Sequence, residues 1–452
     1  MPAATPLSSP APASHTDLAV IGGGMAGLAA ADTARAHGRS VVLLEAGANV
    51  GGLARAIRVG GEPIESYYHH LFPQDTETLE LAERLGLGDD VEWREGPMSI
   101  LHNGRAYSFD SPLDLLRFDP LSLPARVRVG LATALQVVRP DPGTLDRRTA
   151  REEARRWFGG SAYDLLWRPL LEAKFGSAAD EVVMAWLVAR IRQRAGARRA
   201  GGDRLGYLRG SLGRLAEAFA EDVRGSGVEL VTSARVSRLR QDGGRWVIEY
   251  EREGEAATRT ADAVVGALAG PVLSRIAELP ANYRDKLSRI PYRGIVCLLL
   301  ELDRPLSSTY WVNVTDRIGL GCVGIIEHTN FIPAERYGGR SLVYLAHYVG
   351  REDAAWSAST DELITAAEPS LRALQPAFER DWIEEVHDSR DPFAQPVPVI
   401  GGPMATLPTT TGLPGLFHAS LAHVYPHDRG VAKAIELGQR VSGEAHRYLD
   451  RR

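Results

Sequence analysis

Residues 17–27 read Asp17-Leu18-Ala19-Val20-Ile21-Gly22-Gly23-Gly24-Met25-Ala26-Gly27. Leu18-Ala19-Val20-Ile21 is apolar without alternation, the pattern of a parallel strand buried on both faces. Residues 28–37 are rich in alanine and read as a helix, with Gly38 just past its end. Val41-Val42-Leu43-Leu44 is a second apolar strand, and Glu45 closes it. The order is strand, G-x-G-x-x-G, helix, strand, acid. Each part has a task in holding a dinucleotide. Gly22 permits a tight turn, Gly24 lets the backbone approach a pyrophosphate, and Gly27 lets helix and strand pack closely. The helix start at Met25 and Ala26 offers free N–H groups and a partial positive charge to phosphates. Glu45, 23 residues after Gly22, is placed to accept hydrogen bonds from ribose hydroxyls.

The next residues choose the cofactor. Ala46 leads into Gly51-Gly52-Leu53-Ala54-Arg55. A glutamate followed by a second glycine pair and an arginine resembles the extended fingerprint of the amine oxidase, protoporphyrinogen oxidase and phytoene desaturase superfamily. That resemblance implies FAD as cofactor. It places Gly51, Gly52, Leu53, Ala54 and Arg55 along the FAD diphosphate and flavin, where glycines clear space and an arginine supplies a charged fork. It also implies an α/β fold: a glutathione-reductase-like, FAD-binding Rossmann domain interleaved with an α+β substrate domain.

An interleaved domain must return later in the chain. Gly227-Val228-Glu229-Leu230-Val231 reads as a strand, and residues 234–250 read as a hairpin around the turn at residues 241–244. By resemblance, Val236 meets the adenine end of FAD. Residues 263–271 then form a strand and turn beside the cofactor, at Ala267. Gly415-Leu416-Phe417-His418-Ala419-Ser420 is similar to the superfamily's last strand. Tyr425-Pro426-His427-Asp428-Arg429-Gly430 precedes an amphipathic helix from Val431. Arg429, Gly430 and Val431 then fall at the flavin, and a helix start there would stabilise an anionic reduced ring. Ser420 and Leu421 depart from the usual glycine and aspartate, which puts that ribityl or diphosphate contact in doubt. The expected division is a tail at residues 1–16, an FAD-binding domain at 17–75, 205–290 and 385–452, and a substrate domain at 76–204 and 291–384. Residues 76–204 read as helix-rich, and residues 167–176 resemble a segment of the desaturase-like members.

Composition narrows the function. The chain has 452 residues, 44% hydrophobic, with a net charge of −5. A mildly acidic chain has no bulk electrostatic reason to bind nucleic acid. Two cysteines, Cys297 and Cys322, are too few for a disulfide scaffold, and no C-x-x-C exists for metal or redox work. No apolar run reaches the roughly 18 residues of a spanning helix, and the opening residues lack the pattern of a signal peptide. A soluble cytoplasmic protein is therefore expected. Residues 121–139 combine apolar side chains with Arg126, Arg128 and Arg139. They read either as a cap helix over the pocket or as a helix lying on a membrane surface.

A flavin performs its own electron chemistry, so few catalytic side chains are expected. Glu65-Ser66-Tyr67-Tyr68-His69-His70-Leu71-Phe72 should return to the flavin face. His69 and His70 read either as base and substrate anchor or as packed imidazoles. They do not read as a metal pair, because neighbours in a strand point to opposite faces. Glu327 and His328, in Gly324-Ile325-Ile326-Glu327-His328-Thr329-Asn330, read either as polar groups lowered onto the flavin or as a capped turn. Trp311, Asn313, Tyr344 and Tyr348 are candidate pocket walls, and Tyr425 is a candidate flavin-face aromatic. Of 52 basic residues only Lys174, Lys286 and Lys433 are lysines. In several amine oxidases a lysine holds a water near the flavin, and only Lys174 has a comparable context here, which disfavours that mechanism. The expected activity is hydride removal from a substrate C–H to flavin N5, with an apolar or aromatic small molecule favoured. The alternatives are a non-redox flavin-dependent mutase or isomerase, and an amine oxidase.

Overall fold

The computed structural model describes residues 14–138, 143–199, 202–315 and 319–452. Two seven-stranded sheets organise them. In the first, strands Glu229–Val231, Val41–Leu44, His15–Ile21, Glu255–Gly266 and Leu416–His418 lie parallel in that order. Glu255–Gly266 also turns back antiparallel through Arg245–Arg252 to Ala234–Asp242. Ile21 sits opposite both Leu44 and Gly266, so the central strands end level and their carboxyl ends share one edge. A ligand crevice belongs at that edge of an open parallel sheet. Both faces are covered. Helices Met25–Ala36, Ser211–Gly225 and Val431–Leu449 bury Leu18, Val20, Leu43 and Val265 on one side. The opposite residues Ala19, Ile21, Val42 and Val264 meet Trp246, Leu273 and Tyr283.

The second sheet runs Ile383–Pro396, Tyr292–Leu302, Ser341–Val349, Gly324–Glu327, Trp311–Val314, Met98–His102, Arg105–Ser108. Its pairings are antiparallel except Trp311–Val314 with Met98–His102. The continuous run Ile295-Val296-Cys297-Leu298-Leu299-Leu300 is explained by burial on both faces. Ile295, Cys297 and Leu299 join Tyr67, Tyr310 and Tyr344 on the side toward the first sheet. Val296, Leu298 and Leu300 join Leu363, Ala367 and Leu371 of helix Thr360–Leu374, on the outside. That outer helix starts at a capping box, Ser359 with Glu362. A helical layer, including Leu123–Val138, Ala150–Phe158, Arg168–Phe175 and Met184–Ala197, closes over the space between the sheets.

Several expected boundaries shift. The first strand begins at His15, so residues 15 and 16 are not tail; residues 1–13 lie outside the described residues, as does Arg139. The stretch expected to be helix-rich also holds strands Val91–Glu95, Met98–His102 and Arg105–Ser108, and the last two join the second sheet. Gly202–Leu208 pairs with Val91–Glu95 rather than with the first sheet. Strand Ile383–Pro396 continues along Tyr292–Leu302, so residues 385–396 belong to the second sheet and not to the dinucleotide part. Local patterning shows a strand but not its partner, and the partners lie roughly a hundred positions away for Gly202–Leu208 and Ile383–Pro396 and more than two hundred for Met98–His102.

Candidate functional site

The level ends of the parallel strands open into a cavity of about 930 Å³. Its floor is backbone. Gly22 adopts φ +105°, and a Cβ there would lie 2.6 Å from the Ala267 carbonyl oxygen. Gly27 packs so closely that a Cβ would fall 1.8 Å from the Gly22 carbonyl oxygen. Gly24 differs from both: a Cβ on it would meet nothing nearer than the Gly52 Cα at 3.9 Å. A Cβ on Gly52 would lie 3.3 Å from the Gly24 Cα, so these two glycines lie close together and present bare backbone to the cavity. Gly51, at φ +103°, donates its N–H to the Gly23 carbonyl at 2.8 Å and locks the second glycine turn against the first. Helix Met25–Ala36 starts at Gly24 with no side-chain cap and no acid in its first turn. Its free N–H groups meet the cavity at Met25 and Ala26. The Glu45 carboxylate accepts from the Gly23 and Gly47 N–H groups, each at 2.6 Å, and still lines the cavity. A bare backbone floor, an open helix start and an acid at the strand end are what a dinucleotide diphosphate and ribose require.

The opposite wall carries the charged groups. Lys174 of helix Arg168–Phe175 donates to Asp428 Oδ2 at 2.5 Å, and Arg190 of helix Met184–Ala197 lies 3.7 Å from the same oxygen. Burial alone would raise Asp428, but Lys174 and Arg190 outweigh it and hold the carboxyl far below its usual range. Burial pulls Lys174 down despite Asp428. The neighbouring Arg429 donates to Tyr348 Oη at 2.7 Å and to the Ala394 carbonyl at 3.0 Å. Tyr68 and Tyr348 share a hydroxyl hydrogen bond of 3.0 Å. Burial opposes ionisation of Tyr348, yet the Arg429 guanidinium and the Lys174 ammonium overcome it and lower this phenol. His69 donates Nδ1–H to the Tyr67 carbonyl, which leaves Nε2 as an acceptor in the cavity wall. Burial and Arg429 lower His69 to about 4. Burial, Arg194 and Arg190 also lower His70, whose Nδ1 lies 3.2 Å from Tyr310 Oη. The loop is pinned because Leu71 and Gly206 exchange backbone hydrogen bonds at 2.8 Å.

Residues 25–446 match the family model described as flavin-containing amine oxidoreductase. The chain belongs to that family. It is 25% identical over 348 residues to a coproporphyrinogen III oxidase of Propionibacterium freudenreichii subsp. freudenreichii, a match covering 64% of each chain. The match thus spans less than two thirds of that relative's length. Its fold is similar to cyclohexylamine oxidase from Brevibacterium oxydans IH-35A, with TM-score 0.72, 17% identity, and 97% and 100% of the two chains covered. It is also similar to a fatty acid isomerase from P. acnes that produces CLA, with TM-score 0.70, 16% identity, and 95% and 98% covered. As a member of the flavin-containing amine oxidoreductases, the chain takes FAD, and the glycine-floored groove fits it.

Most residues expected at the cofactor line one cavity: Gly22, Gly24, Met25, Ala26, Glu45, Gly51, Gly52, Leu53, Ala54, Ala267, Ser420, Arg429, Gly430 and Val431. Gly27 acts behind the floor, through packing. Arg55 is not in the cavity wall. It donates to the Gly52 carbonyl and, at 2.7 Å, to Tyr67 Oη, bracing the glycine turn from behind. Ala46 is exposed and Val236 half-buried, and neither lines the cavity. Ser420 presents a hydroxyl that His423 Nδ1 engages at 3.1 Å, and the neighbouring Leu421 lines the cavity without a charge.

Three candidates for chemistry are corrected. Glu327 is buried away from the cavity and accepts from the Leu306 N–H, the Ser307 N–H and hydroxyl, and the Ser341 hydroxyl, at 2.6–2.9 Å. It organises a loop. His328 packs on Tyr337 Oη at 2.8 Å and is likewise internal, lowered by burial to about 3. Tyr425 bonds Asp146 and does not line the cavity. Tyr344 also turns inward, donating to the Glu65 carbonyl at 2.6 Å. In contrast His69, His70, Trp311, Asn313 and Tyr348 do line the cavity. The Lys174–Asp428–Arg190 cluster was not expected. Its sequence signals are the rarity of lysine, which singles out Lys174, and the Asp428-Arg429 pair immediately before the last helix.

Proposed function

We propose that this protein is an FAD-dependent dehydrogenase of an apolar small molecule, removing hydride from a substrate C–H to leave a C=C, C=N or C=O bond. One observation carries the reading: the cavity that begins at the glycine floor continues without a break between Ile100, Phe109, Leu115, Leu170, Leu187 and Ile191. A pocket of that size, mostly apolar with a few convergent polar groups, suits a greasy substrate held in one orientation. Bound FAD supplies the hydride acceptor. The chain's own residues hold the cofactor, exclude water and manage the proton. Glu45 and the helix start at Met25 orient the dinucleotide, and Gly430 and Val431 present a second helix start. His69 stays neutral and offers Nε2 as a fixed acceptor. The Tyr348 hydroxyl, beside Arg429 and Lys174, is the more acidic phenol of the Tyr68–Tyr348 pair, and it serves as proton carrier where the substrate loses an O–H or N–H proton. Lys174, Arg190, Arg194 and Arg429 line the cavity together with Glu45, Asp75, Asp391 and Asp428, so its charged groups balance. Two free, buried cysteines support placement in a reducing cytoplasm.

The test is purification of a yellow protein, bleaching by dithionite, then anaerobic screening of apolar compounds for flavin reduction, with product mass measured. A product two hydrogens lighter than its substrate is expected, and His69→Ala should retain FAD but slow reduction. A folded, colourless protein that cannot take up FAD overturns the reading. Turnover with unchanged substrate mass replaces it with an isomerase.

A further inference from the structure

Helix Leu123–Val138 has two apolar faces. Val129, Gly130, Thr133, Ala134 and Val137 line the cavity. Leu123, Val127, Leu131, Leu135 and Val138 point outward and are 45–77% exposed. Leu113 and Leu116 of the adjoining helix Pro112–Arg117 extend the patch, and Arg126 ties the two helices by donating to the Leu116 carbonyl at 2.6 Å. Among the described residues, the exposed large apolar side chains fall on these two helices with the single exception of Ile400. A clustered patch of this kind marks an interaction surface, whereas scattered ones do not.

Charge identifies the partner. Residues 120–138 hold two arginines and no carboxylate. Arg128 reaches across to the carbonyls of Arg156 and Trp157, and the exposed Arg117, Arg155 and Arg156 stand near the stripe. Residues 105–158 contain ten arginines against seven acids, in a chain whose net charge is −5. Of the nearby acids, Asp119 faces Arg105, Asp114 closes the Ser111 cap and Asp164 pairs with Arg155. The exposed side chains of the stripe are aliphatic, and the one aromatic beside them, the half-buried Trp157, shares a shallow groove with Leu123, Val127, Leu131 and Leu135, as suits a bilayer interface. A second copy docking by the same patch would bring one arginine rim against another. An aliphatic stripe edged by arginine matches the interfacial layer of an anionic bilayer.

The cavity also opens here. Pro112, Ala134 and Val137 are at once exposed and cavity-lining, so the mouth lies inside the apolar patch. We propose that the face formed by helices Pro112–Arg117 and Leu123–Val138 docks on an anionic membrane surface, and that the substrate enters the cavity from the lipid through a mouth between these helices. Docking rests on the patch alone; the entry route rests also on the proposed apolar substrate.

The experiment is flotation of the full, FAD-loaded chain with vesicles of phosphatidylcholine alone, or of phosphatidylcholine and phosphatidylglycerol in equal parts. The protein should float with the mixed vesicles, and less so with phosphatidylcholine alone or at high salt. The double variant Leu131→Glu/Leu135→Glu changes residues outside the cavity wall. It should keep its flavin absorbance but bind vesicles at least about tenfold more weakly. Wild type that stays down with both vesicle types, or a double variant that floats equally well, overturns the proposal. A wild-type dimer that the double variant dissociates, with no flotation, overturns it in favour of self-association. The two readings fail separately. A protein that floats but whose flavin no compound reduces loses the activity, not the docking; one that turns over but does not float loses the docking alone.

Discussion

Three glycines of one motif do different work. Gly22 and Gly27 are held by backbone that would collide with any Cβ, at 2.6 Å and 1.8 Å, so they serve folding. Gly24 has room for a Cβ, and its partner across the floor is another glycine. Gly24→Val should therefore fold, with an unchanged circular dichroism spectrum, and yet purify without the flavin absorbance near the visible bands. Retention of stoichiometric FAD by this variant would show that the diphosphate does not cross the Gly24–Gly52 floor. Glu327 teaches the opposite lesson. An acid beside a histidine suggests chemistry, but its oxygens are consumed by backbone and hydroxyl donors inside the second sheet. A buried carboxylate satisfied in this way anchors a loop.

At the scale of elements, the two halves of the cavity wall are joined by the ion pair between helix Arg168–Phe175 and the turn before helix Val431–Leu449. Lys174 and Asp428 are both buried, with side chains 16% and 5% exposed. Lys174→Met leaves a buried carboxylate facing Arg190 at longer range, and should cost about 3–5 kcal/mol in urea unfolding. The double variant Lys174→Met/Asp428→Asn should recover part of that loss, because the one cation it leaves without a carboxylate, Arg190, is 27% exposed and keeps its hydrogen bond to Gln193. If its loss equals the sum of the single losses, the two residues are not coupled. The rarity of lysine in the sequence drew attention to Lys174. Only its position beside Asp428 explains what this lysine does.

For the whole molecule, burial of titratable groups sets a pH dependence. Desolvation lowers His69 to about 4, His328 to about 3, His418 to about 3 and His423 to about 4. Between about 6.5 and these values the unfolded chain binds protons that the folded chain refuses, so stability is lost as pH falls through that window. Glu65, raised by burial to about 7, and Asp75, raised to about 6, act oppositely, since the folded chain holds their protons longer. His70 and His427 are lowered by burial as well, so the depressed imidazoles outnumber the two raised carboxyls and leave a net loss on acidification, on the order of 1 kcal/mol per pH unit for each net proton. The urea midpoint should fall from pH 7 to pH 5; a flat or rising profile would show that these imidazoles are solvated in the folded state.

The stretch from Asp17 to Arg55 marked the two adjacent parallel strands His15–Ile21 and Val41–Leu44 of the first sheet and carried the resemblance that implies FAD. Its signals are local: a glycine spacing that only a tight backbone floor needs, apolar runs of strand length, and an acid at the end of the second strand. The cavity-lining residues of the last helix start, Gly430 and Val431, were legible for the same reason. The substrate side was not. Pairing of Trp311–Val314 with Met98–His102 joins residues more than two hundred positions apart, and no periodicity encodes it. That pairing helps decide that Trp311 and Asn313 face the cavity, while Glu327 and His328 turn to internal partners and Tyr425 to the exposed Asp146. The double-sided character of helix Leu123–Val138 was likewise beyond the sequence. Its composition allowed a pocket cap or a surface helix, and only the packing of neighbouring helices leaves one face on the cavity and the other in the open.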